Sequence, residues 1–166
     1  MVPVSINLQM IENAKRLSEE QGVLHNSFME GKGNFVGYLG EEIFLNEFGG
    51  DRTNEYHHDV IYKNKKLEIK TKNTTSYPRQ HYMCSVSAFN PLQESDYYVF
   101  CRVNLIENVG WICGFYPTNK FKMDARYYRK GEFDPDNEYH VKSDCWSLPI
   151  SKLNEITGGD LDVSNK

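Results

Sequence analysis

The sequence predicts an α/β fold, in which helices pack around a mixed central β-sheet within one domain of 166 residues. Two observations indicate this class. Apolar residues recur at helical spacing through the first two predicted elements, whereas from residue 59 to residue 116 they alternate with polar residues, as in half-buried strands. Hydrophobic residues make up 39% of the chain, which is enough for a packed core and too many for a disordered polypeptide.

Helices come first in the predicted order. Apolar residues from Ile6 to Leu17 lie three or four positions apart and predict a helix that ends near Gly22. Gly49 and Gly50 are expected to end the second helix. The predicted helices cover 5–20 and 35–48, with a flexible joint at 30–34 ("EGKGN") between them.

Strands make up most of the rest. Asn64 separates two alternating segments and predicts the turn of a β-hairpin. Thr118 is expected to cap a later helix that runs to about Tyr128, and Ser151 to begin a final helical turn. The predicted strands are 59–63, 66–72, 82–87, 96–105, 109–116 and 145–150.

The whole chain, 1–166, is interpreted as a single domain because no repeat or Pro/Gly/Ser-rich linker divides it. We divide it into an N-terminal helical extension (1–33), a core (34–150) and a flexible tail (157–166). The first 20 residues carry a charge every few positions, so we expect no membrane partner and a cytoplasmic location.

The segment "KLEIKTK" (66–72) combines an anchored strand with charged side chains. In an alternating strand, Leu67 and Ile69 point towards the core, whereas Glu68 and Lys70 point to the opposite face. An arbitrary pattern of this kind usually forms a solvated face with a cross-strand ion pair. The residues around it therefore decide whether it is a chemical site.

Asp59 begins the preceding strand, and a tight turn would bring it beside Glu68 and Lys70. Two carboxylates suit Mg²⁺ or Mn²⁺, which prefer hard oxygen ligands, and the main-chain carbonyl of Ile69 is a further oxygen between them. Such a cation lowers the pKa of a bound water and neutralises charge on a phosphodiester, while a nearby lysine orients the water. The set predicts metal-dependent phosphodiester hydrolysis.

Asp59 followed by Glu68-Ile69-Lys70 resembles the D…(D/E)xK signature of the PD-(D/E)XK nuclease superfamily. The resemblance covers about residues 30–116 and is to small phage and bacterial members. It implies a restriction-endonuclease-like fold, a three-layer sandwich with a mixed central sheet flanked by helices. It also implies the cytoplasm of a bacterial cell or of a phage-infected host.

The upstream segment "GNFVGYLGEEIF" (33–44) is similar to the G-x-x-G-E helix that precedes the hairpin in many members. By that similarity Glu41 is a metal ligand or orients the metal-bound water, with Glu42 as the second choice. Gly37 and Gly40 would let the helix approach the sheet closely.

The resemblance implies a Mg²⁺-dependent endodeoxyribonuclease. Lys70, Glu68, Asp59 and Glu41 would be catalytic, and Mg²⁺ or Mn²⁺ would be held by Asp59, Glu68, Glu41 and the carbonyl of Ile69. The implied partner is DNA, and assembly as a homodimer or within a larger nucleic-acid-processing complex is left open.

Basic residues near the hairpin are candidate DNA contacts. The net charge of −4 gives no general attraction for a polyanion, so a local basic patch would have to supply it. We expect Lys72, Arg79, Lys66 and His81 to contact phosphates.

Two histidines, His57 and His58, precede Asp59. Adjacent strand residues point to opposite faces, so at most one of them is expected to enter the site. Its role there would be metal binding, proton relay or a phosphate contact. Surface or packing roles are the alternative for both.

Two other classes of function stay open at this point. The chain could be a catalytically inactive member of the same superfamily that binds nucleic acid or protein, although all four site residues are present. It could also be an unrelated α/β interaction domain, in which case Asp59 and Glu68 would not converge.

Overall fold

The computed structural model describes residues 1–21, 32–53, 58–89, 94–135 and 137–161, with the backbone alone for 32–34. The helices within this part of the chain are α1 (Leu8–Gln21), α2 (Lys32–Phe48) and α3 (Thr118–Asp124), and Ile150–Lys152 form a 3-10 turn. The strands are β1 (Val2–Ser5), β2 (Asp51–Arg52), β3 (Val60–Tyr62), β4 (Lys65–Asn73), β5 (Met83–Ser87), β6 (Tyr97–Asn104), β7 (Val109–Pro117), β8 (Arg126–Tyr128), β9 (Phe133–Asp134), β10 (Tyr139–His140) and β11 (Cys145–Pro149).

A six-stranded central sheet has the order β1-β7-β6-β4-β3-β2. Strands β4 and β6 are parallel, and the other neighbours are antiparallel. A parallel pair needs a crossover connection, which here includes β5. The mixed α/β class predicted from the sequence is therefore confirmed.

Helices α1 and α2 cover one face of this sheet. Leu39, Ile43 and Phe44 of α2 are fully buried against Leu67 and Ile69 of β4. The alternation of β4 directs these two side chains towards the helices, as the sequence predicts. This packing fixes β4 between β3 and β6.

The other face of the central sheet is covered mainly by strands. A three-stranded sheet, β5-β11-β8, and the short helix α3 pack there. Phe121 of α3 stacks with Phe100 at 5.6 Å and meets Tyr98 edge to face at 5.2 Å. Among the described residues the expected layer of helices is reduced on this face to α3, because the alternating segments 83–87 and 145–149 pair with each other.

The predicted helix 118–128 is shorter than expected. It ends at Asp124, and residues 126–128 form β8, which pairs with β11. Thr118 is the first helical residue and not the cap, since Pro117 at the end of β7 precedes the helix. Thr118 Oγ1 instead lies 3.1 Å from Ser95 Oγ.

The N-terminal segment begins with a strand that the sequence did not predict. Residues 2–5 form β1, which pairs with β7 at the edge of the central sheet. Four residues are too few for alternation to reveal a strand, and Pro3 argues against a central one. An edge position tolerates proline, because one side of the strand lacks a hydrogen-bonding neighbour.

Part of the predicted flexible tail also packs on the core. Tyr62 Oη donates a hydrogen bond to the carbonyl of Gly159 at 2.7 Å, and Leu161 packs against the core between α1, α2 and the central sheet. Residues 162–166 lie outside the described residues. Helix α2 begins at Lys32, so the last residues of the predicted joint 30–34 are helical.

None of the helices in the described ranges has the length and apolar character to cross a membrane.

Candidate active site at the hairpin of β3 and β4

The hairpin register places Asp59 and Glu68 on the same side of the sheet. Val60 pairs with Leu67, so Asp59, one residue earlier, lies opposite Glu68, one residue later. Residues 63 and 64 have φ of 47° and 60°, as a tight two-residue turn requires. The predicted turn and the convergence across it are therefore present.

The carboxylate of Asp59 faces the backbone of β4. Its Oδ2 accepts a hydrogen bond from the Ile69 N–H at 2.7 Å, and the Asp59 N–H donates to the carbonyl of Leu67 at 2.9 Å. The N–H and C=O of a strand residue point to the same side. The Ile69 carbonyl is thus directed towards the side of the strand that Asp59 occupies.

Glu68 and Lys70 form an ion pair, with Lys70 Nζ 2.5 Å from Glu68 Oε1. Glu68 is 7% exposed, and Lys70 is half-buried. The flanking residues Leu67 and Ile69 are buried in the core, so the strand holds the two charged groups on a rigid base.

Helix α2 brings Glu41 to the hairpin through a close contact between backbones. A Cβ added at Gly40 would lie 1.8 Å from Thr71 Oγ1, so only glycine allows this separation between α2 and β4. The expectation of a close approach is confirmed for Gly40 and wrong for Gly37, which has open space around it. Glu41 is 8% exposed.

Arg52 in β2 is a site residue that the sequence did not reveal. Its Nη1 lies 2.9 Å from Glu41 Oε2, and its Nη2 lies 2.6 Å from Glu42 Oε1. Glu42 Oε2 also accepts a hydrogen bond from Asn13 Nδ2 at 2.9 Å, which ties α1 to α2. Glu42 is therefore held as a structural link, and Glu41 lies nearer to the hairpin carboxylates.

Burial and mutual repulsion make these carboxylates hard to ionise. Burial, followed by the charges of Asp59 and Glu68, raises the pKa of Glu41 to about 8, against the lowering effect of Arg52. Burial also raises the pKa of Glu68 to about 7, although Lys70 favours the ionised form. The pKa of Asp59 is raised by burial as well. Glu41, Asp59 and Glu68 thus form one electrostatic cluster.

Four carboxylates lie close together in this cluster. Those of Glu41, Glu42, Asp59 and Glu68 lie beside Arg52 and Lys70, and the charge of His58 also lowers the pKa of Asp59. Carboxylate oxygens are the donors that Mg²⁺ and Mn²⁺ prefer, and a divalent cation would favour their ionised form.

The side chains do not adopt a closed metal-binding arrangement. Within the ranges that the structure covers, no three His, Cys, Asp or Glu side chains are grouped as ligands of one ion. Glu41 is turned to Arg52 and Glu68 to Lys70. The donor chemistry and the charge fit a divalent cation, and Glu41, Asp59, Glu68 and the Ile69 carbonyl are the groups that would hold it.

The predicted phosphate contacts do not form one patch. Lys66 is exposed near the start of β4, six residues before Lys72, which corresponds to about 20 Å along a strand. Arg79 and His81 are exposed in the crossover that leads to β5. Lys72 points towards the three-stranded sheet β5-β11-β8, where its Nζ donates a hydrogen bond to Ser85 Oγ at 2.8 Å.

The two histidines have different outcomes. His58 is 2% exposed, and its carbonyl accepts a hydrogen bond from Thr53 Oγ1 at 2.6 Å. It contributes to the electrostatic environment of Asp59. His57 lies outside the described residues.

Comparison with known proteins does not assign the chain to a family: no protein-family model matches it, and no curated protein matches its sequence significantly.

Proposed function

We propose that this protein is a Mg²⁺- or Mn²⁺-dependent endonuclease that hydrolyses phosphodiester bonds in DNA, as a member of the PD-(D/E)XK superfamily with a restriction-endonuclease-like core. The observation that carries the proposal is the buried carboxylate cluster of Glu41, Asp59 and Glu68 beside Lys70, in which burial raises the pKa of each carboxylate. A bound divalent cation would stabilise the ionised carboxylates of such a cluster.

Each residue has a chemical role in this proposal. Asp59, Glu68, Glu41 and the Ile69 carbonyl would hold the divalent cation, which when bound lowers the pKa of water and neutralises charge on the phosphate. Lys70 Nζ would orient the attacking water and donate a hydrogen bond to a phosphate oxygen. Arg52 would keep the Glu41 carboxylate in place.

The direct test is a cleavage assay on linear, nicked and branched DNA with Mg²⁺, Mn²⁺ or EDTA. Lys70→Ala and Glu68→Gln are each expected to lower the cleavage rate at least ~100-fold, since general acid–base and charge-stabilising groups contribute factors of about 10² or more. EDTA should abolish cleavage by the wild type.

Glu47→Gln and Lys122→Ala are matched controls. Both residues are exposed, the first on α2 and the second on α3, and both variants should cleave at the wild-type rate. Cleavage that survives Lys70→Ala, or that continues in EDTA, would show that the proposed chemistry is wrong.

A catalytically inactive nucleic-acid- or protein-binding module is the second candidate. The ion pairs of Glu41 with Arg52 and of Glu68 with Lys70 favour it, because they engage two of the proposed metal ligands within the protein. In that case the purified wild type would cleave none of the DNA substrates with either metal. Its thermal unfolding would also be unchanged by Mg²⁺ or Mn²⁺.

A further inference from the structure

A second candidate site, lined by basic side chains, lies on the side of β4 that faces away from the helices. It is covered by the three-stranded sheet β5-β11-β8. A cavity of about 680 Å³ opens there between the central sheet and the loops around β10 and β11. Lys72 and Arg102 line it. They are register partners on the parallel strands β4 and β6, so their backbones are about 5 Å apart.

The two cations converge on one carbonyl group. Arg102 Nη2 donates to the Met83 carbonyl at 2.8 Å, and Lys72 Nζ lies 3.3 Å from the same oxygen. The Arg102 guanidinium also lies over the Tyr82 ring, 5.5 Å from its centroid. These contacts fix the direction of both side chains, and the acceptor that they share is a neutral carbonyl oxygen.

Lys72 and Arg102 are close enough to repel each other. Burial and then Arg102 lower the pKa of Lys72 to about 8, and Asp134, with Cys84 and Cys145, acts in the opposite direction. Asp134 is itself buried and accepts a hydrogen bond from Asn137 Nδ2 at 3.0 Å. An anion in the cavity would relieve the repulsion between these two half-buried cations.

The remaining walls suit a nucleotide. Ser85, Ser87 and Asn137 present hydroxyl and amide groups, and Tyr82 and Tyr139 present aromatic rings. Cations and hydroxyls bind phosphate oxygens, whereas rings and amides stack on and hydrogen-bond a base. The volume lies in the range of small-molecule sites, so it suits one nucleotide unit and not a duplex.

The geometry points to a binding site for the terminal phosphate of a single nucleotide unit, held by Lys72 and Arg102. The same chemistry is offered by a free nucleoside monophosphate and by the phosphorylated end of a DNA strand. A smaller cavity of about 100 Å³ is lined by Lys70 as well as by Lys72 and Arg102, so the site adjoins the candidate active site. The inference does not require the protein to be a nuclease.

Binding is tested on the full-length protein in EDTA, so that the absence of cleavage does not affect the result. Titration calorimetry would compare 2′-deoxyadenosine 5′-monophosphate with deoxyadenosine. We expect saturable binding of the monophosphate and none of the nucleoside. Lys72→Gln and Arg102→Gln should each weaken binding by roughly tenfold or more, as loss of a charged hydrogen-bond donor does, whereas Lys122→Gln should bind as the wild type does.

A pair of single-stranded oligonucleotides, with and without a 5′-phosphate, distinguishes the two sources. Tighter binding of the phosphorylated strand identifies a strand end, and binding of the mononucleotide alone identifies a free nucleotide; either supports the site. Glu68→Gln should bind the monophosphate normally, so failure of the nuclease proposal and failure of this one are separable.

NMR spectra of the wild-type backbone amides test the same site without a substitution, in case a cavity variant does not fold. Addition of the monophosphate should shift the amides of residues 83–87 and 102. The proposal is overturned by the absence of saturable binding of both monophosphate and phosphorylated strand, by shifts confined to other parts of the chain, or by folded Lys72→Gln and Arg102→Gln variants with wild-type affinity.

Discussion

Glu41 and Glu68 occupy positions where an ionised carboxylate is costly. Each is almost completely buried, and each lies in the field of Asp59. Arg52 and Lys70 offset only part of this cost. At the scale of single residues, burial therefore favours the protonated carboxylates at this site, and an added cation would favour the ionised ones.

The raised pKa of Glu41 predicts a pH dependence of stability. The pKa of Glu41 is about 8 in the folded protein, against 4.5 for an ordinary glutamate. Between these values the folded state binds more protons than the unfolded state, so the free energy of unfolding falls as pH rises from about 5 to 8. The expected loss is on the order of a few kcal/mol, measured by denaturant unfolding at several pH values.

Glu41→Gln is the control for this prediction, because it removes the titrating group while it keeps a similar shape. Its stability should depend much less on pH in that window. Lys72, with a pKa lowered to about 8, acts in the opposite direction but only above that pH. A wild-type profile that is flat, or that rises from pH 5 to pH 8, would contradict the raised pKa of Glu41.

Addition of a divalent metal is a second test of the same carboxylates. We expect Mg²⁺ or Mn²⁺ to raise the melting temperature more at pH 8 than at pH 6, because only ionised carboxylates bind the cation. Differential scanning calorimetry measures the shift, and Glu41→Gln should reduce it. An equal shift in wild type and Glu68→Gln would place the bound ions elsewhere.

Between elements, the contact of α2 with β4 decides where Glu41 lies. The close approach depends on Gly40, which leaves room for Thr71. Gly37 lies one turn earlier on the same helix, with nothing near the position of its missing Cβ. The two glycines thus make a matched pair for testing the contact.

Gly40→Ala is expected to destabilise the protein by about 1–3 kcal/mol, because the new methyl group overpacks the interface, and to lower metal-dependent cleavage by moving Glu41. Gly37→Ala is expected to stabilise it by about 0.5–1 kcal/mol, since alanine is the better helix former. Denaturant unfolding and the cleavage assay measure both effects. Equal effects of the two substitutions would contradict the close approach at Gly40.

Elements near the hairpin also differ in how far sequence patterns can predict them. Strand β4 alternates over its whole length, and Asn64 indicates the turn before it, so the hairpin and its charged face follow from local spacing. Strand β2 has two residues and β1 has four. Such short strands exist only because a neighbour pairs with them, and Arg52 in β2 could not be found for that reason.

Across the whole molecule, the C-terminal segment supports the hairpin from 97 residues away in sequence. Tyr62 Oη reaches the carbonyl of Gly159, and Lys63 pairs with Asp160. Among the described residues, Tyr62 is the hydrogen-bond donor to the Gly159 carbonyl. The link joins the last described turn of the chain to the strand that follows Asp59.

Tyr62→Phe removes this buried hydrogen bond and keeps the aromatic ring. We expect the free energy of unfolding to fall by about 1 kcal/mol, the usual net value of such a bond, as measured by urea denaturation. Tyr77→Phe is the control, since Tyr77 is 63% exposed, and should leave stability unchanged. An unchanged stability of Tyr62→Phe would mean that this hydrogen bond does not stabilise the fold.

The sequence by itself determined the local elements and the charged face of β4. Periods of 3.6 and of two residues report which side of a helix or strand is buried, and the order Asp59, Glu68, Lys70 needs only a tight turn to converge. These features depend on residues close to one another in the chain. That α2 would carry a carboxylate towards the hairpin was implied only by the resemblance of residues 33–44 to the G-x-x-G-E helix, and not by local spacing.

Only the tertiary structure decided which charges meet across the fold. Arg52 reaches Glu41 and Glu42 from another strand, and Arg102 lies beside Lys72 because β4 and β6 pair in parallel. The replacement of a second helical layer by the β5-β11-β8 sheet places Lys72 in a cavity and not on an exposed edge. Long-range pairing is set by the packing of the whole core, to which every element contributes, and no local spacing encodes it.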